Sequence, residues 1–208
     1  MTAGILLGGK GTRFVPDKCF LNIDGRAIAR RQLDVLAQMF DDILLVGDYD
    51  LGRARQAGVC PGGKVRAVKD VVARKAALGG IYSGLKACCE RQIFILAGDM
   101  PCIDLPLARY MAGLCPGYDA VVPEFKGRLQ PLFAFYARSC LGAMREQMRQ
   151  GNLRICDLFS CVKTYKVSAL KTREFDPQGL SFMNINRKGD YKCVLKMLSG
   201  DNRHSPLH

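Results

Sequence analysis

The sequence has no tryptophan and only two histidines, His204 and His208, both within the last five residues. A serine or cysteine nucleophile needs a base beside it; both histidines lie in the extreme carboxyl-terminal segment, with Ser205 alone next to them, so histidine-activated covalent catalysis is not expected. The ten cysteines lack the spacing of a metal knuckle: Cys88 and Cys89 are adjacent, and Cys156 and Cys161 are five apart. A structural zinc site is therefore not expected. No apolar run approaches the roughly eighteen residues of a membrane span. Met1-Thr2-Ala3-Gly4 has neither the basic region nor the apolar stretch of a signal peptide. The expectation is a cytoplasmic protein with reduced thiols, the cysteines serving mainly as small core residues. There is no arginine-rich tail and no zinc finger, so nucleic acid is not the expected partner, nor is a membrane. Acidic residues are scarce: 19 Asp and Glu face 31 Lys and Arg, a formal charge of +12 over 208 residues. Such a surface favours small anionic ligands. No internal repeat or linker divides the chain, so residues 1–200 read as one domain and 201–208 as a disordered tail.

What is present is concentrated near the start. The apolar run Ile5-Leu6-Leu7 reads as a strand that passes at once into Gly8-Gly9-Lys10-Gly11-Thr12-Arg13, with Asp17-Lys18 a few residues later. Glycines let a backbone turn tightly or approach a ligand closely. Backbone N–H groups at the carboxyl edge of a sheet are a common seat for anions. Lys10, Arg13 and Lys18 add three cations within nine residues, and together these features describe a phosphate cradle. The loop is not a Walker A motif, because no Gly-Lys-Ser/Thr closes it, and its Gly-Gly-x-Gly spacing is not a dinucleotide fingerprint.

Further along, apolar residues recur with helical period from Ala27 to Phe40, and Ile43–Val46 is a continuous apolar run typical of a covered parallel strand. A short helix over Tyr49–Ala57, a strand at Val65–Val68, a helix opened by Gly79-Gly80-Ile81 and a strand at Ile93–Ala97 follow. This alternation predicts βαβ units and a mostly parallel sheet. Then come a helix from Asp104, a strand at Ala120–Pro123, an extended stretch over Leu129–Phe135, a helix capped by Ser139, a strand at Val162–Val167 and a last helix over Tyr191–Leu198. Asp99 stands one residue past Gly98 at the end of the clearest strand; it reads either as a ligand for Mg²⁺ or as a turn aspartate. Asn184 and Asn186 alternate, so extended backbone would point both amides the same way. A basic excess from Arg145 to Arg173, Lys163 included, suits an anionic acceptor, a solvated face or an acidic protein partner.

Leu6-Leu7-Gly8-Gly9-Lys10-Gly11-Thr12-Arg13 with Asp17-Lys18, Gly98-Asp99-Met100-Pro101, Asp70 followed by Leu78-Gly79-Gly80-Ile81 and Gly84-Leu85, and Asn184-Ile185-Asn186 together resemble the molybdenum cofactor guanylyltransferase family. The resemblance spans residues 3 to about 190. It departs at Phe14-Val15 and at Ala76-Ala77, where the family has Met-Gly and Gly-Pro. It implies a three-layer α/β sandwich of the nucleotidyltransferase type, Rossmann-like, with a mostly parallel central sheet. It implies transfer of GMP from GTP to molybdopterin with release of pyrophosphate. The matching positions give Arg13, Lys18 and Asp99 catalytic roles, with Asp99 the ligand of Mg²⁺. Leu7, Gly8, Gly9, Gly11, Thr12, Lys18, Asp70 and Gly80 fall to the nucleotide, and Asn184 and Asn186 to the acceptor side. Molybdenum insertion or molybdoenzyme maturation proteins are the partners such an enzyme would meet. Two alternatives stand beside this reading: a cytidylyl or sugar-phosphate nucleotidyltransferase, and a catalytically inactive nucleotide-binding adaptor.

Overall fold

In the computed structural model, residues 1–7, 18–72, 76–185 and 188–198 are described. The strands are β1 (Thr2–Leu6), β2 (Asn22–Ile23), β3 (Arg26–Ala27), β4 (Asp42–Val46), β5 (Val65–Val68), β6 (Gln92–Ala97), β7 (Ala120–Phe125), β8 (Arg128–Leu129), β9 (Phe133–Ala137) and β10 (Thr164–Val167). The helices are α1 (Ile28–Leu36), α2 (Leu51–Gln56), α3 (Ala76–Ala87), α4 (Leu105–Leu114), α5 (Cys140–Arg149), α6 (Ile155–Leu158), α7 (Ala169–Phe175) and α8 (Lys188–Leu198).

The main sheet runs β10-β7-β9-β6-β1-β4-β5, with β8 paired to β7. β1 lies parallel between β4 and β6, and β5 continues parallel beyond β4. β9 is antiparallel to both β6 and β7, so β6, β7 and β10 point the same way. Every parallel strand therefore delivers its following loop to one carboxyl edge.

Strand residues alternate between two apolar layers, as period-2 side chains must. Ile5, Ile43, Leu45, Phe94, Leu96, Phe133 and Phe135 face one cluster, which α1, α2 and α4 cover through Leu33, Leu36, Ala54, Leu107 and Met111. Leu44, Val46, Ile93, Ile95, Ala134 and Tyr136 face the other, beneath α3, α5 and α6. The result is helices on both faces of a mixed, mostly parallel sheet. On the α3 side the layers meet closely. A Cβ on Gly84 would lie 3.3 Å from a Val46 methyl and 3.5 Å from Ile93 Cδ1.

A third, smaller cluster ties the end of the chain to its beginning. Ile23, Ile28, Ile185 and Val194 are buried together, with Leu21, Met183, Tyr191 and Leu195 packed against them. The Tyr191 hydroxyl donates to the Asn22 carbonyl at 2.6 Å. The β2–β3 turn is Asp24-Gly25, both with positive φ (52° and 79°), as a tight two-residue hairpin demands.

Several elements depart from the sequence pattern. The stretch Phe20–Ile23, whose sequence reads as a short extended piece, is a 3-10 turn (Lys18–Phe20) followed by a two-residue strand. Ser139 does not cap α5; its hydroxyl donates to the Asp119 carboxylate instead. α7 has no counterpart in the sequence reading. No helix among the described residues is long and apolar enough to cross a membrane.

Candidate active site

Three segments converge where β6 ends. The first is the turn Ala97–Met100, which carries Asp99. The second is the 3-10 turn beginning at Lys18. The third is the stretch from Leu180 to Ile185. Gly98 joins the first two. Its N–H donates to the Leu6 carbonyl at 3.0 Å. A Cβ there would lie 2.8 Å from that oxygen, 2.9 Å from Leu7 Cδ2 and 3.2 Å from Cys19 Cβ. Glycine is required by this approach of backbone to backbone. The third segment is held by Ile185 N–H donating to the Asp99 carbonyl at 3.0 Å, and by Asp104 N–H donating to Ser181 Oγ at 2.8 Å. Asp176 fixes that segment from behind, its two carboxylate oxygens accepting from Leu180 N–H at 2.9 Å and Ser181 N–H at 2.8 Å.

Asp99 is half-buried at this junction. Burial pushes its carboxyl above the usual carboxylate range; the Lys18 ammonium and a backbone hydrogen bond pull it back. Two of the residues nominated from sequence are thus coupled here, a carboxylate costly to ionise and a cation that favours ionisation. Asn184, next to the tether at Ile185, carries a buried Oδ1 with no protein partner. The partly desolvated carboxylate and the unpartnered amide oxygen, carried by segments that the Ile185–Asp99 hydrogen bond ties together, are each oxygen donors of the kind a hard cation takes. Among the described residues no group of three or more His, Cys, Asp or Glu is placed to hold a metal.

The other expected residues fall at the same edge in different ways. Leu7 gives its side chain to the core, at 1% exposure, and its N–H to Val46 O at 2.7 Å. Neither group is therefore available to a ligand. Asp70 follows β5 and closes its own turn. Its Oδ1 accepts from Val72 N–H at 3.0 Å and from the Ser83 hydroxyl at 2.8 Å. Gly80 lies in α3 over β1, where a Cβ would meet Leu6 Cδ2 at 3.4 Å. Gly8, Gly9, Gly11, Thr12, Arg13 and Asn186 lie outside the described residues.

The basic excess from Arg145 to Arg173 does not form one surface at this edge. Lys163 precedes β10 at the opposite, amino edge, where its N–H meets Asp119 Oδ2 at 2.9 Å and its ammonium sits over the Tyr118 ring. Arg173 instead lies over Phe125 at the carboxyl end of β7. A cleft of about 850 Å³ opens elsewhere, between α1 and α2, lined by Phe20, Arg26, Arg30 and Arg53 among others. It is lined by none of Lys18, Asp99 or Asn184.

Two contributors escaped the sequence reading. Gln32 of α1 is 1% exposed and donates to the carbonyls of Ala97 and Met100, astride Asp99. Its signal was present: it falls among Ile28, Ala29, Leu33 and Leu36 on the buried face of an amphipathic helix, where a polar side chain needs a partner. Ser83 is likewise 1% exposed within α3 and bonds Asp70.

Residues 3–160 match the family model described as the MobA-like NTP transferase domain. A protein of Pelotomaculum thermopropionicum named "Probable molybdenum cofactor guanylyltransferase" is 31% identical over 189 residues, spanning 91% of this chain and 89% of its own. The "Molybdenum cofactor guanylyltransferase" of Syntrophotalea carbinolica is 30% identical over 208 residues, spanning 99% and 95%. Among solved structures, the molybdopterin-guanine dinucleotide biosynthesis protein A of Archaeoglobus fulgidus superposes with a TM-score of 0.78, covering 96% of this chain and 100% of that one. At 23% identity that likeness is one of fold.

Proposed function

The chain belongs to the MobA-like NTP transferase family, and on that premise we propose that it transfers GMP from GTP to molybdopterin and releases pyrophosphate. The observation that carries this reading is the meeting of Asp99 with Lys18 at the carboxyl edge, beside the unpartnered Asn184 amide oxygen. The acceptor's phosphate oxygen attacks the α-phosphorus of GTP. The bond from that phosphorus to the bridging oxygen breaks, and the electron pair leaves with pyrophosphate. The nucleophile is already an anion, so no histidine base is needed; the protein's work is positioning and charge stabilisation.

In this reading the backbone from Leu7 through Gly8, Gly9, Gly11 and Thr12 cradles the triphosphate. Arg13 and Lys18 place positive charge on the α-phosphate and the leaving group. Asp70 and Gly80 line the nucleoside side, and Asn184 and Asn186 the acceptor side. Asp99 and Asn184 are the groups that would hold a divalent cation, with Mg²⁺ the proposed ion. When bound, such an ion supplies Lewis-acid neutralisation of phosphate oxygens. Lys18 opposes the burial that disfavours the Asp99 anion, and so keeps that carboxylate available as a ligand.

The test is pyrophosphate release with molybdopterin as acceptor, offering GTP, CTP, ATP and UTP in turn with Mg²⁺. GTP should be used at least tenfold faster than the others. Asp99→Asn should lose most of this turnover while unfolding at or above the parental temperature. Preferred use of CTP would replace the guanylyl assignment, and near-parental Asp99→Asn turnover at limiting Mg²⁺ would remove Asp99 from the metal.

A further inference from the structure

We propose that Gln32 is a positioning residue that fixes the Asp99 carboxylate for its divalent cation, an inference that rests on the metal role given to Asp99 above. Gln32 sits in the middle of α1, on the face that enters the core with Ala29, Leu33 and Leu36. A packing residue at such a place is ordinarily apolar, because a buried amide must be compensated by hydrogen bonds. Both Nε2 hydrogens of Gln32 go to one feature, donating to Ala97 O at 2.8 Å and to Met100 O at 2.7 Å. Those carbonyls bracket Gly98-Asp99. The amide can only be oriented this way, since a flipped amide would press its oxygen against two carbonyl oxygens.

The rest of the turn is pinned as completely. Ala97 N–H donates to Leu132 O at 3.2 Å, Gly98 N–H to Leu6 O at 3.0 Å, and Met100 N–H to Ala97 O at 3.2 Å. The Asp99 carbonyl accepts from Ile185 at 3.0 Å. With its backbone held on each side, Asp99 is left with rotation of its own side chain, and the carboxylate is aimed before any ligand arrives. Gln32 reaches this turn from a different layer of the fold, and so ties the sheet edge to α1. The tie has a cost: Gln32 Oε1 is buried without a protein partner. The ligand carboxylate is fixed through groups that never touch the ion, and loss of such support typically weakens metal binding about 10- to 100-fold.

The experiment compares the parent, Gln32→Met, Gln32→Glu and Asp99→Asn as full-length chains. Mn²⁺ binding to the nucleotide-free protein is read by electron paramagnetic resonance. The metal dependence of turnover and thermal unfolding are followed alongside. Gln32→Met keeps the volume and removes both donors. It should bind Mn²⁺ about tenfold more weakly and raise the metal midpoint of turnover by a similar factor. At saturating metal its KM for GTP should stay parental, a split that simple loss of folded protein would not produce. Gln32→Glu keeps the shape, replaces two N–H donors by a carboxyl group, and should also weaken Mn²⁺; it decides the matter if the Met variant does not fold. Parental Mn²⁺ affinity in a folded Gln32 variant, with Asp99→Asn weakened, overturns the positioning role alone. Parental affinity in Asp99→Asn itself overturns the metal role of Asp99, and this inference falls with it.

Discussion

At the scale of single residues, two glycines near the site make opposite demands. Gly98 has carbonyl oxygen, methyl and Cβ within 2.8 to 3.2 Å of where a Cβ would stand. The Leu6 oxygen belongs to a central strand and cannot yield. Gly98→Ala should therefore destabilise the fold by about 1–3 kcal/mol, the usual cost of overpacking, and move Asp99 with the turn. Urea unfolding together with pyrophosphate release checks both, and parental turnover would contradict the account. Gly80 faces only the flexible end of Leu6 at 3.4 Å, from within a helix. Alanine there gains up to about 1 kcal/mol of helix propensity. Gly80→Ala should leave thermal unfolding unchanged or slightly raised. A higher KM for GTP in that variant would separate a nucleotide role from one of helix-on-sheet packing. The Asp99 carboxyl adds a pH signature. Its folded pKa is raised by burial, so the metal-free protein loses stability as pH rises from the unfolded toward the folded value. On the proposed metal role of Asp99 the carboxylate form is the ligand, so metal-dependent turnover should fall as pH drops below the raised value. Lys18→Ala removes the opposing cation and should shift that acid limb upward in a pH–rate profile; an unmoved limb would show that Lys18 does not act on Asp99.

At the scale of elements, Asp119 shows how polar contacts settle what apolar pattern leaves open. Its carboxylate accepts from the Ser139 hydroxyl and from Lys163 N–H, and its carbonyl accepts from Ala137 N–H at 2.7 Å, joining the starts of β7, β10 and α5 to the end of β9. The Ser139 bond, foremost, and the Lys163 N–H hold its carboxyl below the usual range. A depressed pKa stabilises the fold above the unfolded value, and the contribution fades as pH falls through the folded one. Ser139→Ala should lower the melting temperature at neutral pH and match the parent in strong acid; an equal loss at every pH would refute the linkage. The apolar runs at Ile43–Val46 and Ile93–Ala97 were legible as strands because both faces are covered. The direction of β9 was not legible. Phe133–Ala137 is buried throughout, and an all-apolar strand carries no mark of antiparallel pairing. α7 escaped because it buries little: Thr172 is enclosed while Leu170 is 78% exposed, so no amphipathic period forms, although Ser168 does cap it. Asp99 and Lys18 could be nominated from the sequence. Gln32 could not be paired with them, since its partners are carbonyls more than sixty positions away.

At the scale of the molecule, the parallel strands give the sheet two chemically different edges, and the excess of positive charge is spread over both. A net charge of +12 draws anions toward the whole surface and raises encounter rates. Turnover depends on which cations stand where the α-phosphate is transferred. Register fixes the distance between the edges. Thr164 pairs with Ala120, Ala120 with Tyr136, and Tyr136 with Ile93, so Lys163 is about level with Gln92 at the start of β6. Asp99 lies past the other end of that strand, roughly 20 Å along it at about 3.3 Å per residue. That span exceeds twice the Debye length of about 8 Å at physiological salt, so the Lys163 charge is screened from the site and is already engaged over Tyr118. Lys163→Ala should leave turnover and both Michaelis constants parental at 0.15 M salt, with at most a small loss of kcat/KM in dilute buffer. Lys18→Ala should cost about a hundredfold in turnover, since a transition-state charge contact is worth roughly 3 kcal/mol, and salt should not restore it. Steady-state guanylyl transfer with GTP and acceptor varied separately, at two ionic strengths and beside thermal unfolding, distinguishes the two cations. If Lys163→Ala impairs acceptor use at physiological salt, the acceptor must extend across the sheet to the amino edge. If Lys18→Ala stays folded and keeps parental turnover, the phosphates are not held at the end of β1, and the carboxyl edge loses its claim to the chemistry.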